Sequence, residues 1–245
     1  MRKMGKADLH IHSTASDGVR TPAAILDYVE HHTDLDLVAI ADHDVLAGSL
    51  EAREIAGRRR FRFEVLVAVE VTTLEGHLLA YDIERPIRML QPLARTVRLI
   101  HEQGGFAVAP HPLSPLTRSI GRRGLLRNLS HPDPSARLDG IEVLNPSVAG
   151  RVVYQKIVRL NRTLGLRETG GSDSHTLETI GSAFTRFVGR SADDYRRSFW
   201  RRMTTAEGVF WGWTEHRHLL RIAGPQSFRA LVLLPARHIR RAFTK

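Results

Sequence analysis

Short apolar, β-branched runs alternate along this chain with stretches of helical spacing, and that alternation restricts the fold more than any other feature. Residues 7–12, 37–41, 64–71, 77–83, 106–109, 140–144, 167–170 and 183–188 read as strands, and 22–32, 45–60, 89–103, 148–164 and 192–203 as helices. The punctuation agrees. Thr21-Pro22 is a helix start, Gly104-Gly105 and Gly165 are helix stops, and Glu75-Gly76 is a turn between two strands. Strands separated by helices pair in parallel, and parallel strands are covered on both faces, so they are apolar throughout. The expected class is α/β. A doubly wound sheet and a closed barrel both fit the pattern. Residues 114–137, rich in Pro, Ser and Arg, read as a loop with a short helix.

The 245 residues suit one large domain with a sizeable core. No apolar run approaches the length of a membrane span, and the basic N-terminus MRKMGKADLH lacks an apolar segment, so neither a spanning helix nor a signal peptide is expected and the expected location is cytoplasmic. There is no cysteine, which excludes disulfides, thiolate ligands and a cysteine nucleophile. The net charge of +10 suits phosphate-rich partners, nucleic acid included, and equally suits a general bias towards arginine.

The informative residues stand beside strand ends. His10 and His12 are two apart on one strand, which puts both rings on one face. Asp17 follows in the loop TASDG. Asp42-His43-Asp44 closes the second strand, Glu70 the third, and His77 opens the next; His111-Pro112 follows the strand at 106–109, and Asp173 and His175 are again two apart in GGSDSH. In α/β folds, loops at the carboxyl ends of strands converge on one mouth. Carboxylates and neutral imidazoles gathered there need a cation, and nine donors are enough for two or three ions. Each piece alone is more often structural: HxH pairs are common on exposed strands. The ordered series is what carries the reading. His31, His32, His101 and His131 lie away from strand ends and read as surface or helix-terminal residues. His216, His218 and His238 lie in a tail without partnering carboxylates.

These motifs resemble the PHP (polymerase and histidinol phosphatase) superfamily, small stand-alone branch. DLHIHSTASDG resembles its first motif, AIADHD its second, APHP its third and GGSDSH its last, while VAVEVTTLEGHLLAYDI resembles the stretch that supplies a bridging glutamate and a histidine. The resemblance covers residues 6–190. It implies a distorted (β/α)7 barrel with a metal site at the carboxyl ends of its strands. It implies a dinuclear or trinuclear cluster: His10, His12, Glu70 and Asp173 at one ion, Glu70, His77 and His111 at a second, and Asp17, His43 and His175 at a third. The all-N/O donors suit Mn, Fe or Zn, and so many imidazoles disfavour magnesium.

The resemblance further implies a metal-dependent phosphoric ester hydrolase, a phosphatase or exonuclease, working by attack of a metal-bridging water, with Asp17, His43, Glu70 and Arg118 as catalytic residues. Arg118 is the candidate phosphate clamp, weighed evenly against a solvated loop arginine. Asp42 or Asp44 is expected to orient a liganding histidine or a water. The expected substrates are nucleotide-like phosphates or the 5′ ends of short oligonucleotides. A histidinol-phosphate-type phosphatase is the alternative within the enzyme class, and a nucleic-acid-binding or regulatory module the alternative outside it. Residues 1–203 are expected to form the catalytic domain. Residues 204–245 are expected to form a basic, partly amphipathic extension packed on the barrel; contact with a membrane surface or a partner protein is the less favoured alternative.

Overall fold

The computed structural model describes residues 3–212. In chain order these hold β1 (Met4–Ile11), α1 (Pro22–His32), β2 (Leu37–Ile40), α2 (Ala47–Arg58), β3 (Glu64–Val65), β4 (Ala68–Thr72), β5 (His77–Tyr81), α3 (Leu93–His101), β6 (Phe106–Ala109), α4 (Arg122–Leu129), β7 (Gly140–Leu144), α5 (Val148–Leu164), β8 (Arg167–Gly170), β9 (Ala183–Val188), α6 (Ala192–Trp200) and β10 (Thr205–Gly208). The expected boundary signals are present. Thr21 caps α1 through the Ala24 N–H with Pro22 in its first turn, Gly165 ends α5 at φ +64°, and a Ser191/Asp194 capping box starts α6.

The fold is mixed α/β, but the closed barrel is not formed. The strands make two five-stranded sheets, ordered β10-β9-β1-β2-β3 and β4-β5-β6-β7-β8. One cause lies between β3 and β4, which the sequence reads as a single strand. Leu66 still donates to Val38 of β2, whereas Val67 accepts from Asp82, which follows β5. The chain thus leaves one sheet and joins the other within two residues, and Leu66 and Val67 are buried in different core clusters. Isolated bridges cross between the sheets at Ile11–Ser174 and His43–Glu70, both at the end that carries the histidines. Parallel pairing is also broken. β5 runs antiparallel to β4 and β6, and β9 antiparallel to β1.

One core cluster is shared by the two sheets. Ala7, Leu9, Leu37 and Ala39 from one side meet Leu79, Tyr81, Phe106 and Val108 from the other, with Tyr195 and Phe199 of α6 and Phe187 of β9 among them. Burying each such aromatic or leucine contributes about 1.5–3 kcal/mol. This apolar body anchors the strands whose opposite ends carry the polar residues. β10 lies within the expected extension and pairs with β9. Residues 213–245, with His216, His218 and His238, fall outside the described residues. No helix among the described residues is long and apolar enough to cross a membrane.

Candidate metal centre

The nine side chains singled out by position lie together. Four groups have ligand atoms within 4.8 Å of one another: His12, Asp17, His43 and His175; His10, His12 and Asp173; His10, Glu70 and His111; and His43, Glu70 and His77. The groups share members, so the cluster is continuous. Glu70 is its hub. Its Oε1 lies 3.0 Å from His77 Nδ1 and 3.0 Å from His111 Nε2, and its Oε2 lies 3.1 Å from His43 Nδ1 and 3.4 Å from both His10 Nε2 and His12 Nε2. Asp173 Oδ1 sits 3.2 Å from His12 Nε2, and Asp17 Oδ2 sits 3.2 Å from His175 Nε2.

Local structure explains the convergence. The His10 and His12 ring centroids are 5.2 Å apart, on one side of β1 as period two requires. Asp42 to Asp44 is clamped to Glu70 by main-chain bonds in both directions. His77 begins its strand rather than ending one. Because β5 is antiparallel, its start lies at the same mouth as the ends of its neighbours. His111 and Asp173 both hold positive φ, +30° and +53°, and so does Asp44 at +55°; this backbone is costly for residues with a Cβ and persists where the surroundings enforce it.

Several residues that position the cluster escape a reading by motif. Glu142, buried in β7, lies 3.1 Å from His10 Nδ1 with Oε1 and accepts the His111 N–H at 2.8 Å with Oε2. Asn145 donates to Asp173 Oδ2. Asp8 accepts main-chain N–H groups from His10, Ser172 and Gly181, tying together three segments of the mouth. The available signal for Glu142 was a carboxylate inside the apolar run GIEVL. Asp42 makes no hydrogen bond to a histidine side chain among the described residues. It accepts from Ser13 N–H, Ser13 Oγ and Ser16 Oγ, and so fixes the loop that carries Asp17. Asp44 accepts the Thr72 N–H. Arg118 is exposed. Its guanidinium donates to the Thr73 carbonyl and its own carbonyl accepts the His77 N–H.

Charge in the cluster is strongly coupled. Burial opposes ionisation of Glu70 and Asp173, yet the surrounding imidazoles hold both well below the ordinary carboxylate range. Burial likewise opposes the His10 cation, but Asp173, Glu142 and Glu70 raise it well above the usual value. Burial pushes His43 down to about 4, while Asp17 overcomes burial to lift His175 to about 9. Six buried atoms here make no hydrogen bond among the described residues: His10 Nε2, both ring nitrogens of His12, His43 Nδ1, Glu70 Oε2 and His77 Nδ1. Buried polar atoms without partners cost about 1–3 kcal/mol each, so so many in one place point to a missing ligand. Imidazole nitrogens with carboxylate oxygens are a donor set that divalent cations take, and the residues fit such ions.

Comparison with known proteins agrees with this geometry. A family model described as PHP-associated matches residues 155–198. An uncharacterized protein of Methanocaldococcus jannaschii is 31% identical over 169 residues, 63% of this chain and 92% of that one. A 5′-3′ exoribonuclease of Haemophilus influenzae is 24% identical over 206 residues, 82% of this chain but only 63% of the relative. Among solved structures, a two-domain protein from Bacteroides vulgatus containing a predicted PHP-like metal-dependent phosphoesterase superposes with a TM-score of 0.66 at 21% identity, covering 85% of this chain and 66% of that one. At that identity the likeness is one of fold.

Proposed function

The chain belongs to the PHP superfamily, and from that premise we propose that it is a metal-dependent phosphoesterase acting on nucleotides or short oligonucleotides. The observation that carries the reading is the set of six unpartnered buried ligand atoms within the nine-residue cluster. In this reading His10, His12, Asp17, His43, Glu70, His77, His111, Asp173 and His175 would hold two or three divalent ions. Such ions supply Lewis-acid polarisation of a phosphate ester and a water acidified towards neutrality.

The chain's own groups do the rest. Glu142 fixes the ring of His10 through Nδ1 and the backbone of His111, leaving their Nε2 atoms facing Glu70. Asp42 holds the Asp17 loop, and Asn145 holds Asp173. Arg118 stands on the loop after His111, where a swing away from the Thr73 carbonyl would let it clamp a phosphate oxygen. Residues 1–203 make the catalytic domain in this reading and 204–212 the start of an extension packed on it, a reading that the pairing of β10 with β9 supports. The nucleotidic substrate class is supported by the exoribonuclease among the relatives, which is longer than the segment it shares with this chain.

The test is phosphate release by metal-loaded protein from a panel: nucleoside monophosphates, a 3′,5′-bisphosphate, a 5′-phosphorylated oligonucleotide and histidinol phosphate. Turnover of a nucleotidic substrate that is lost in His10→Ala and in Asp173→Ala is the expected result. Turnover that survives both substitutions, or that is confined to histidinol phosphate, would overturn the reading.

A further inference from the structure

The arginines of this protein fall into two kinds. Arg53, Arg58, Arg59, Arg196 and Arg197 each pair with a carboxylate. Those of α4 and α5 do not. Neither helix contains an aspartate or glutamate, and the loop from Pro112 to Gly121 has none either. Between the helices runs a groove of about 420 Å³. Its walls are Arg122 of α4, Lys156, Arg159, Leu160 and Thr163 of α5, and Leu113. The three cations have no ion-pair partner among the described residues, so the groove is a concentration of uncompensated positive charge set against two leucines. Leu113 is two residues from His111, which places this wall of the groove within roughly 7 Å of the liganding histidine, measured along the backbone.

We infer that this groove binds a single strand of nucleic acid that continues from the metal centre. A ligand that suits it carries anions on one side and flat apolar surface on the other. A nucleotide strand has both, since its phosphates can meet Arg122, Lys156 and Arg159 while a base or sugar covers Leu113 and Leu160. The two leucines favour a strand whose bases are free over a duplex, whose base faces are stacked and paired and so cannot cover them. The groove as a binding site stands on these residues; its role as a substrate track rests on the phosphoesterase reading.

The test is anisotropy of a fluorescein-labelled, phosphorothioate single-stranded oligonucleotide, which resists hydrolysis, with the metal-loaded full chain. Lys156→Glu with Arg159→Glu is compared with Arg60→Glu with Arg85→Glu, an exposed pair elsewhere on the surface that changes the net charge equally. The groove variant is expected to weaken binding on the order of tenfold and to make the dependence of log K on log salt shallower by about 1.4, two contacts at ~0.7 each. Its turnover of a nucleoside monophosphate should stay at the parent level. Lys156→Gln with Arg159→Gln, which adds no new charge, should give a smaller loss in the same direction. Equal losses in both charge-reversed pairs, or unchanged binding in the groove pair, would overturn the inference. So would a groove-pair effect confined to vesicles containing phosphatidylserine. Oligonucleotide binding that depends on the groove in a protein that hydrolyses nothing would leave this inference standing and remove the proposed function instead.

Discussion

Glu142 is a carboxylate in the middle of an apolar strand, buried, with one oxygen on His10 and the other on the backbone of His111. A charge kept there must act through those contacts. Glu142→Gln keeps the shape but removes the negative charge that orients the His10 ring, so divalent-ion affinity is expected to fall about 10–100-fold. Competition with a chelating dye measures it, and an unchanged affinity would show Glu142 to be only packing. Gly171 presses on the same pair: an added Cβ would lie 2.5 Å from Glu142 Oε1 and 2.7 Å from His10 Cβ. Gly171→Ala is therefore expected to cost about 1–3 kcal/mol in urea denaturation and to lower ion affinity as well. The nine residues of the cluster were legible because period two on β1 and the strand-end rule place side chains without knowledge of contacts. Glu142, Asn145 and Asp8 were not, because most of the partners that define their role lie 28 to 173 residues away, and a single carboxylate in a strand carries no spacing signal.

At the scale of elements, periodicity located nearly every helix and strand, and α5 runs over the residues expected of it, Val148–Leu164. It did not reveal pairing direction. Antiparallel β5 and the break at Leu66-Val67 follow from which core each side chain enters, a tertiary choice that local pattern does not encode. One junction between elements makes stability depend on pH. His101, the last residue of α3, lies 2.7 Å from the Ser135 carbonyl through Nδ1 and 2.7 Å from Asp139 Oδ2 through Nε2. Two acceptors require both nitrogens to carry protons, and the hydrogen bond to Asp139 raises the imidazole above its ordinary value of 6.5. A raised cation stabilises fully below the unfolded value and ceases to as pH rises through the folded one. The advantage of the parent over His101→Gln should therefore be largest below pH 6.5 and shrink above it. Paired denaturation curves on either side of neutrality check this, and a difference that is flat with pH would mean that His101 is neutral in the fold.

For the molecule as a whole, the same end of the strands both carries the candidate ligands and bridges the sheets. The crossings lie at His43–Glu70 and Ile11–Ser174, each beside a candidate ligand, while the far ends are held by the shared aromatic core. Without a cation the mouth gathers three carboxylates and six imidazoles with buried atoms unpaired, which strains the contacts that span the seams. Divalent ions should then act as a clasp between sheets, stabilising by about 2.7 kcal/mol at a hundredfold excess over Kd. For a chain of this size that corresponds to roughly 5–10 °C in Tm. The effect should also be local. Amide exchange at His12 and Ser174 and at Asp44 and Glu70, whose N–H groups make the seam bonds, should accelerate on chelation, while Leu79 to Tyr81 in β5 should stay protected. Uniform acceleration would mean that metal binding stabilises the fold globally and that the seams have no special dependence on it. Unchanged exchange and Tm would mean that the cluster is held by its protein contacts alone.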